Sequence, residues 1–125
     1  MALELEGPVD LALAAALQRY FRLLPVRISG DVTYNEDLHL NRILDIDGGL
    51  GEVTITIPAT TEVGAGFAVT SASGSWPRIA MADAGSIRHR EGHTRGLQEG
   101  VINVAVVRNI DGITPVALLL GDTRL

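Results

Sequence analysis

The 125-residue chain has no cysteine and no lysine, and its aromatic side chains are one tryptophan, two tyrosines and two phenylalanines. Without cysteine there is no disulfide staple and no thiolate metal site. With so few aromatics, the core must be built from Val, Ile, Leu and Ala. All ten basic residues are arginine, a planar cation that pairs carboxylates bidentately and keeps its charge when half-buried. That usage fits either a GC-rich coding sequence or an arginine–carboxylate subunit interface. It also removes lysine as the usual guard of strand edges, which another chain is then expected to cover. No apolar run reaches the ~20 residues of a membrane span. The acidic start, Met1-Ala-Leu-Glu-Leu-Glu6, lacks the basic region of a secretory signal. Cytoplasmic synthesis and no membrane partner are therefore expected. Fifteen acids against ten arginines give a net charge of −5, which argues against a nucleic-acid partner.

What is present is a hydrophobic share of 46% and 14 glycines, the balance of one folded domain with many turns. Residues 1–125 are read as that domain, with 1–25 a helical attachment segment and 26–125 a β-domain. Pro8 to about Leu24 reads as the one helix. Pro8 suits its first turn, Asp10 its N-terminal end, and Arg19 and Arg22 its C-terminal end. Leu13, Leu17, Tyr20, Phe21 and Leu24 share a broad apolar face, which needs either the chain's own sheet or neighbouring subunits as cover. Pro25 ends the helix.

After Pro25 the hydrophobic period becomes two. Strands are expected at Val26–Ile28, Val32–Tyr34, Leu38–Leu40, Ile43–Asp47, Glu52–Ile57, Phe67–Thr70, Trp76–Ala82 and Ser86–His89, with Asn35–Asp37 as a turn. Glu91 to Gly100 reads as a polar loop. Two apolar runs flanking Asn109-Ile110-Asp111-Gly112 predict a closing hairpin, because Gly accepts the positive φ of a tight turn. Turn signals at this spacing give the fold class: mainly β, an antiparallel sandwich or barrel of jelly-roll type, with one N-terminal helix. No internal repeat is visible.

Little in the chain suggests chemistry. None of the five serines in the β-domain sits in a nucleophile elbow, and neither glycine-rich stretch, Gly48–Gly51 or Gly64–Gly66, leads into a phosphate-binding helix. His89 and His93 are four apart, a spacing that chelates metal on a helix, but Gly92 opposes a helix. The segment His89-Arg90-Glu91-Gly92-His93 reads as a polar surface loop, with a metal or histidine ring on a symmetry axis as the alternative. Asp45 and Asp47 share a strand face, which suits ion pairs with arginine or a calcium site. Trp76 before Pro77 suits the core, a subunit interface or a sugar-stacking platform. No cofactor, metal or catalytic residue is expected.

The pieces Asn41–Ile46, Val53–Pro58, Gly64–Thr70, Gly85–Arg88, Asn109–Gly112 and Leu118–Asp122 together resemble a β-domain common in tailed-bacteriophage virion proteins. The resemblance covers about two-thirds of the chain and rests on turns. It implies a structural role with no catalytic residues. The compact length favours a capsid decoration (cement) subunit on the virion surface, a homotrimer bound to the major capsid protein. The alternative is a head-fibre or tail adaptor. A small hydrolase or metal-dependent enzyme is a third reading. The contact residues expected are Leu13, Leu17, Tyr20, Phe21 and Leu24, then Trp76 and the loop residues Arg88, His89, Arg90, His93 and Arg95.

Overall fold

The computed structural model describes residues 24–82, 85–109 and 115–125. The expected helix, with Leu13, Leu17, Tyr20 and Phe21, therefore lies outside the described residues, as do residues 110–114 of the hairpin turn. Eleven strands and one short helix are described: β1 (Val26–Ile28), β2 (Val32–Thr33), α1 (Glu36–His39), β3 (Ile43–Ile46), β4 (Gly51–Ile57), β5 (Gly66–Ser71), β6 (Ser75–Met81), β7 (Ser86–Arg88), β8 (Arg95–Gly96), β9 (Val101–Asn109), β10 (Pro115–Gly121) and β11 (Thr123–Arg124).

These strands form a sandwich of a six-stranded sheet, β1-β3-β5-β9-β10-β7, and a five-stranded sheet, β11-β8-β6-β4-β2. The mainly β sandwich expected from the sequence is thus present. Strand direction differs from expectation. From β1 to β6 the chain alternates between the two sheets, so each strand pairs in parallel with the one two places on: β1 with β3, β3 with β5, β2 with β4 and β4 with β6. The first half is a stack of coils, each contributing one strand to either sheet, in place of jelly-roll hairpins. Period-two alternation records which face a residue occupies and carries no information on direction, which is why the sequence misses this. Antiparallel pairing enters with β8, which joins β6, and continues with β9, which joins β5 on one side and β10 on the other.

The coil stack explains where the aliphatic residues go. Val26, Leu44 and Val69 stand over one another in one sheet, and Val32, Ile55 and Ile79 in the other. Leu44, Ile46, Ile55, Ile57, Val69, Ile79, Ile102 and Leu119 are each under 2% exposed and form one core between the sheets. Each such side chain contributes roughly 1.5–3 kcal/mol through burial. Tight turns carry the chain from sheet to sheet, and the buried Ser75 ties two of them together. Its hydroxyl donates to the Asp47 carbonyl and accepts from the Leu50 N–H at 2.9 Å.

The expected strand Leu38–Leu40 is instead part of α1. Asn35 is its N-cap, with the side chain accepting from the Asp37 N–H at 2.8 Å, and Glu36 and Asp37 place negative charge in the first turn. The local capping signal outweighs a three-residue alternation. His39 is buried beside Tyr34, which stacks on Phe67, and its Nδ1 accepts from the Asn35 N–H at 2.9 Å. Burial pushes the His39 pKa below its ordinary value, with the nearby Arg42 charge acting in the same direction.

Candidate functional site

Three surfaces stand out. The first is the outer face of the six-stranded sheet. Ile43, Ala68, Asn103 and Leu120 form one row across four adjacent strands. Asp45, Thr70 and Val101 form the next row on one side, and Ala105, Leu118 and Arg88 the row on the other. Ile43 is 43% exposed, Val101 46% and Leu120 55%, while Ala68, Ala105 and Leu118 are half-buried. The face carries exposed aliphatic side chains around the neutral Asn103, with Asp45 and Arg88 in the flanking rows. A shallow hollow runs over Gly66, Ala68 and Ala105, bordered by Ile43 and Arg42. Gly66 lets β5 approach β9 closely at this point, since a Cβ there would lie 2.9 Å from the Val104 carbonyl oxygen.

The second surface is the outer face of the five-stranded sheet near β8 and β11. Glu52 on β4 faces Trp76 on β6, Thr54 faces Arg78, Arg78 faces Arg95 on β8, and Arg95 faces Arg124 on β11. The Arg124 guanidinium lies over the Trp76 ring, 5.5 Å from its centroid. Arg95 donates to Glu52 and holds its carboxyl below the usual range, with Trp76 and Arg78 acting in the same direction. Arg95, Arg78 and Trp76 thus act on one carboxylate, and Arg124 covers the Trp76 ring.

The loop from β7 to β8 borders this surface. Arg88 is exposed at the end of β7 in the six-stranded sheet, and Arg95 belongs to the five-stranded one, so residues 89–94 bridge the sandwich. The His89 and His93 rings stack at 4.7 Å with 12° between their planes. His89 Nδ1 accepts the backbone N–H groups of Glu91 and His93, at 3.1 and 3.3 Å. The Thr123 hydroxyl joins His89 Nε2 to His93 Nδ1, at 3.0 Å from each. His93 Nε2 lies 3.3 Å from the Glu91 carboxylate, and Arg90 3.3 Å from the same side chain. With its ring nitrogens engaged in this way, the histidine pair acts as a clasp between the loop and β11. No group of three or more metal-ligating His, Asp or Glu side chains gathers among the described residues.

The third surface is acidic. Glu36 and Asp37 on α1 and Glu62 after β4 are exposed and form no ion pair among the described residues. Glu36 accepts from the Glu62 N–H at 3.4 Å. Two hollows meet at Glu36 and Glu62, one lined also by Asp37 and Pro58, the other by Leu40 and Val63.

Of the contact residues expected from the sequence, the structure brings together Trp76, His89, His93 and Arg95 around the second surface. Arg90 points to solvent beside Glu91, and Arg88 lies on the opposite sheet. Leu24 is exposed, with its carbonyl held by Arg42 Nη2 at 3.1 Å. Asp47 pairs with Arg27 at 2.9 Å, an exposed ion pair, while Asp45, two residues earlier, is the register partner of Arg27 on the outer face. Glu52, Arg78, Thr123 and Arg124 complete the cluster and were not singled out in the sequence, because only strand register brings them together. No family model, curated protein or solved structure matches the chain. No helix among the described residues is long and apolar enough to cross a membrane.

Proposed function

We propose that this chain is a structural protein of a bacteriophage virion, a capsid decoration subunit that binds the assembled shell and stabilises it. The observation that carries the reading is the exposed aliphatic face of the six-stranded sheet, centred on Ile43, Ala68, Val101 and Leu120. An exposed aliphatic face of this kind marks a protein contact. A protein that binds only the assembled shell adds its binding free energy to the shell's stability. A specific contact of this type buries on the order of 1,200–2,000 Å². The turn motifs that resemble phage β-domains point the same way. The closing Gly121-Asp122 is one of them, with Gly121 at φ +113° and Asp122 clasping Val101.

The test is binding to expanded shells of the major capsid protein from the same phage, followed by heating. The wild-type chain should co-sediment with shells at saturating stoichiometry and raise their melting temperature by several degrees. The Ile43→Asp/Leu120→Asp variant should stay in the supernatant. A wild-type chain that leaves shells unbound and unprotected overturns the reading.

A head-fibre or tail adaptor is the second reading, favoured by the open end of the coil stack. No strand among the described residues pairs with the outer edge of β1 or β2. Both edges lie at the same end, where a further coil from another protein would add by strand pairing. Co-sedimentation with isolated tails in place of shells would favour it.

A further inference from the structure

Resting on the reading of this chain as an assembling structural subunit, we infer that copies join head to tail: the arginine–tryptophan surface of one copy docks on the acidic α1 surface of the next. The two surfaces lie far apart on one molecule. Arg124 and Arg95 belong to β11 and β8 at one edge of the five-stranded sheet, while Glu36 and Asp37 follow β2 at the other edge.

Their chemistry is complementary. Arg78, Arg95 and Arg124 form a cationic group on a chain of net charge −5, and Glu52 is the one carboxylate among them. Glu36, Asp37 and Glu62 form an anionic group with no arginine paired to it among the described residues. One exposed ion pair contributes little, about 0–1 kcal/mol, so charge alone does not hold such a contact. Each surface therefore matters for its apolar part. The Trp76 ring under Arg124 is half-buried and presents a planar stacked pair. On the other side, exposed Leu40 and Val63 line the hollow between Glu36 and Glu62. An arginine–tryptophan pair entering an acid-rimmed hollow with aliphatic side chains on its wall is the composition of an interface anchor. Charge complementarity then fixes orientation and excludes like-to-like pairing.

Because the two surfaces differ, the contact is heterologous. A two-fold dimer cannot satisfy it, whereas a closed ring satisfies every copy. The trimer expected for the virion reading is such a ring.

The test uses two full-length variants, Arg78→Glu/Arg124→Glu and Glu36→Arg/Glu62→Arg, with mass measured by light scattering after size exclusion. The wild-type chain should form a closed oligomer at 50 mM salt whose dissociation constant rises at least tenfold at 500 mM. Each variant alone should be monomeric, with an unchanged circular dichroism spectrum. An equimolar mixture should reassociate into species holding both variants in equal numbers, because the intact arginine–tryptophan surface of one variant meets the intact acidic surface of the other and the two reversed surfaces are complementary in turn. All four substitutions in one chain should restore the closed oligomer. If either variant fails to fold, Arg124→Gln and Glu62→Gln test the same contact with a smaller loss. A wild-type monomer at all concentrations, or an oligomer unmoved by both variants, overturns the head-to-tail contact. A monomer that still binds capsid shells leaves the decoration reading standing, so the two failures are distinguishable.

Discussion

Asp122 clasps Val101 from two directions: its carboxylate accepts the Val101 N–H at 2.9 Å, and its own N–H donates to the Val101 carbonyl at 2.9 Å. The clasp joins the start of β9 to the end of β10, so it pins the register of the pair that closes the six-stranded sheet. Gly121 makes it possible. Its φ is +113°, and a Cβ there would collide with the Val101 carbonyl oxygen. Asp122→Ala should lower unfolding stability by about 1 kcal/mol. Gly121→Ala should cost more than Asp122→Ala, because backbone strain adds to the collision. Urea midpoints of the two variants check the order.

Core and outer face should separate cleanly on mutation. Leu44 is 0% exposed between the sheets, and Leu44→Ala should destabilise by about 2–5 kcal/mol. Leu120 is 55% exposed, and Leu120→Ala should stay within ~0.5 kcal/mol of wild type. Shell binding should show the reverse sensitivity, so urea unfolding and co-sedimentation on both variants form the check.

Ser75 is fully buried and bonded to both ends of the Asp47–Leu50 turn. Ser75→Ala leaves the Leu50 N–H without its acceptor and should cost about 1–3 kcal/mol. Hydrogen exchange at Leu50 should accelerate more than at Ile102 in the far sheet.

His39 gives the fold a pH dependence of defined sign. Its folded-state pKa lies below the unfolded value, so the unfolded chain binds the extra proton first. Stability contributed by neutral His39 is full above the unfolded pKa, about 6.5, and declines as pH falls from there through the lowered folded value. Protonation would also remove the Nδ1 acceptor from the Asn35 N–H. Urea titrations at pH 7.5 and 5.0 should show a smaller loss for His39→Gln than for wild type.

The sequence discloses the faces of this sandwich better than its wiring. Val53, Ile55 and Ile57 alternate as expected and are buried, with Thr54 and Thr56 on the other side. The hairpin partners β9 and β10 are likewise readable, since two apolar runs flank a turn signal. Nothing in the alternation says that β3 lies beside β1 and β5 in place of β4. The spacing that stacks Val26, Leu44 and Val69 in one sheet is uneven in sequence, and neither it nor the nearly even spacing of Val32, Ile55 and Ile79 in the other carries a repeated motif. β8 and β11 are two residues each in polar surroundings, so they leave no hydrophobic trace. The same holds for the charged surface. Trp76, His89, His93 and Arg95 are conspicuous residue types, but Glu52, Arg78, Thr123 and Arg124 acquire meaning only from register.

The alternation of β1 to β6 between sheets has a kinetic consequence. Only β9 and β10 are both adjacent in the chain and paired in one sheet among the described strands. That ribbon closes through a short loop on a microsecond timescale. Every coil before it must enclose a long loop before its first ladder bond forms, which slows assembly toward the millisecond-to-second range of non-local topologies. During that interval bare strand borders wait in solution, so refolding yield should fall as protein concentration rises.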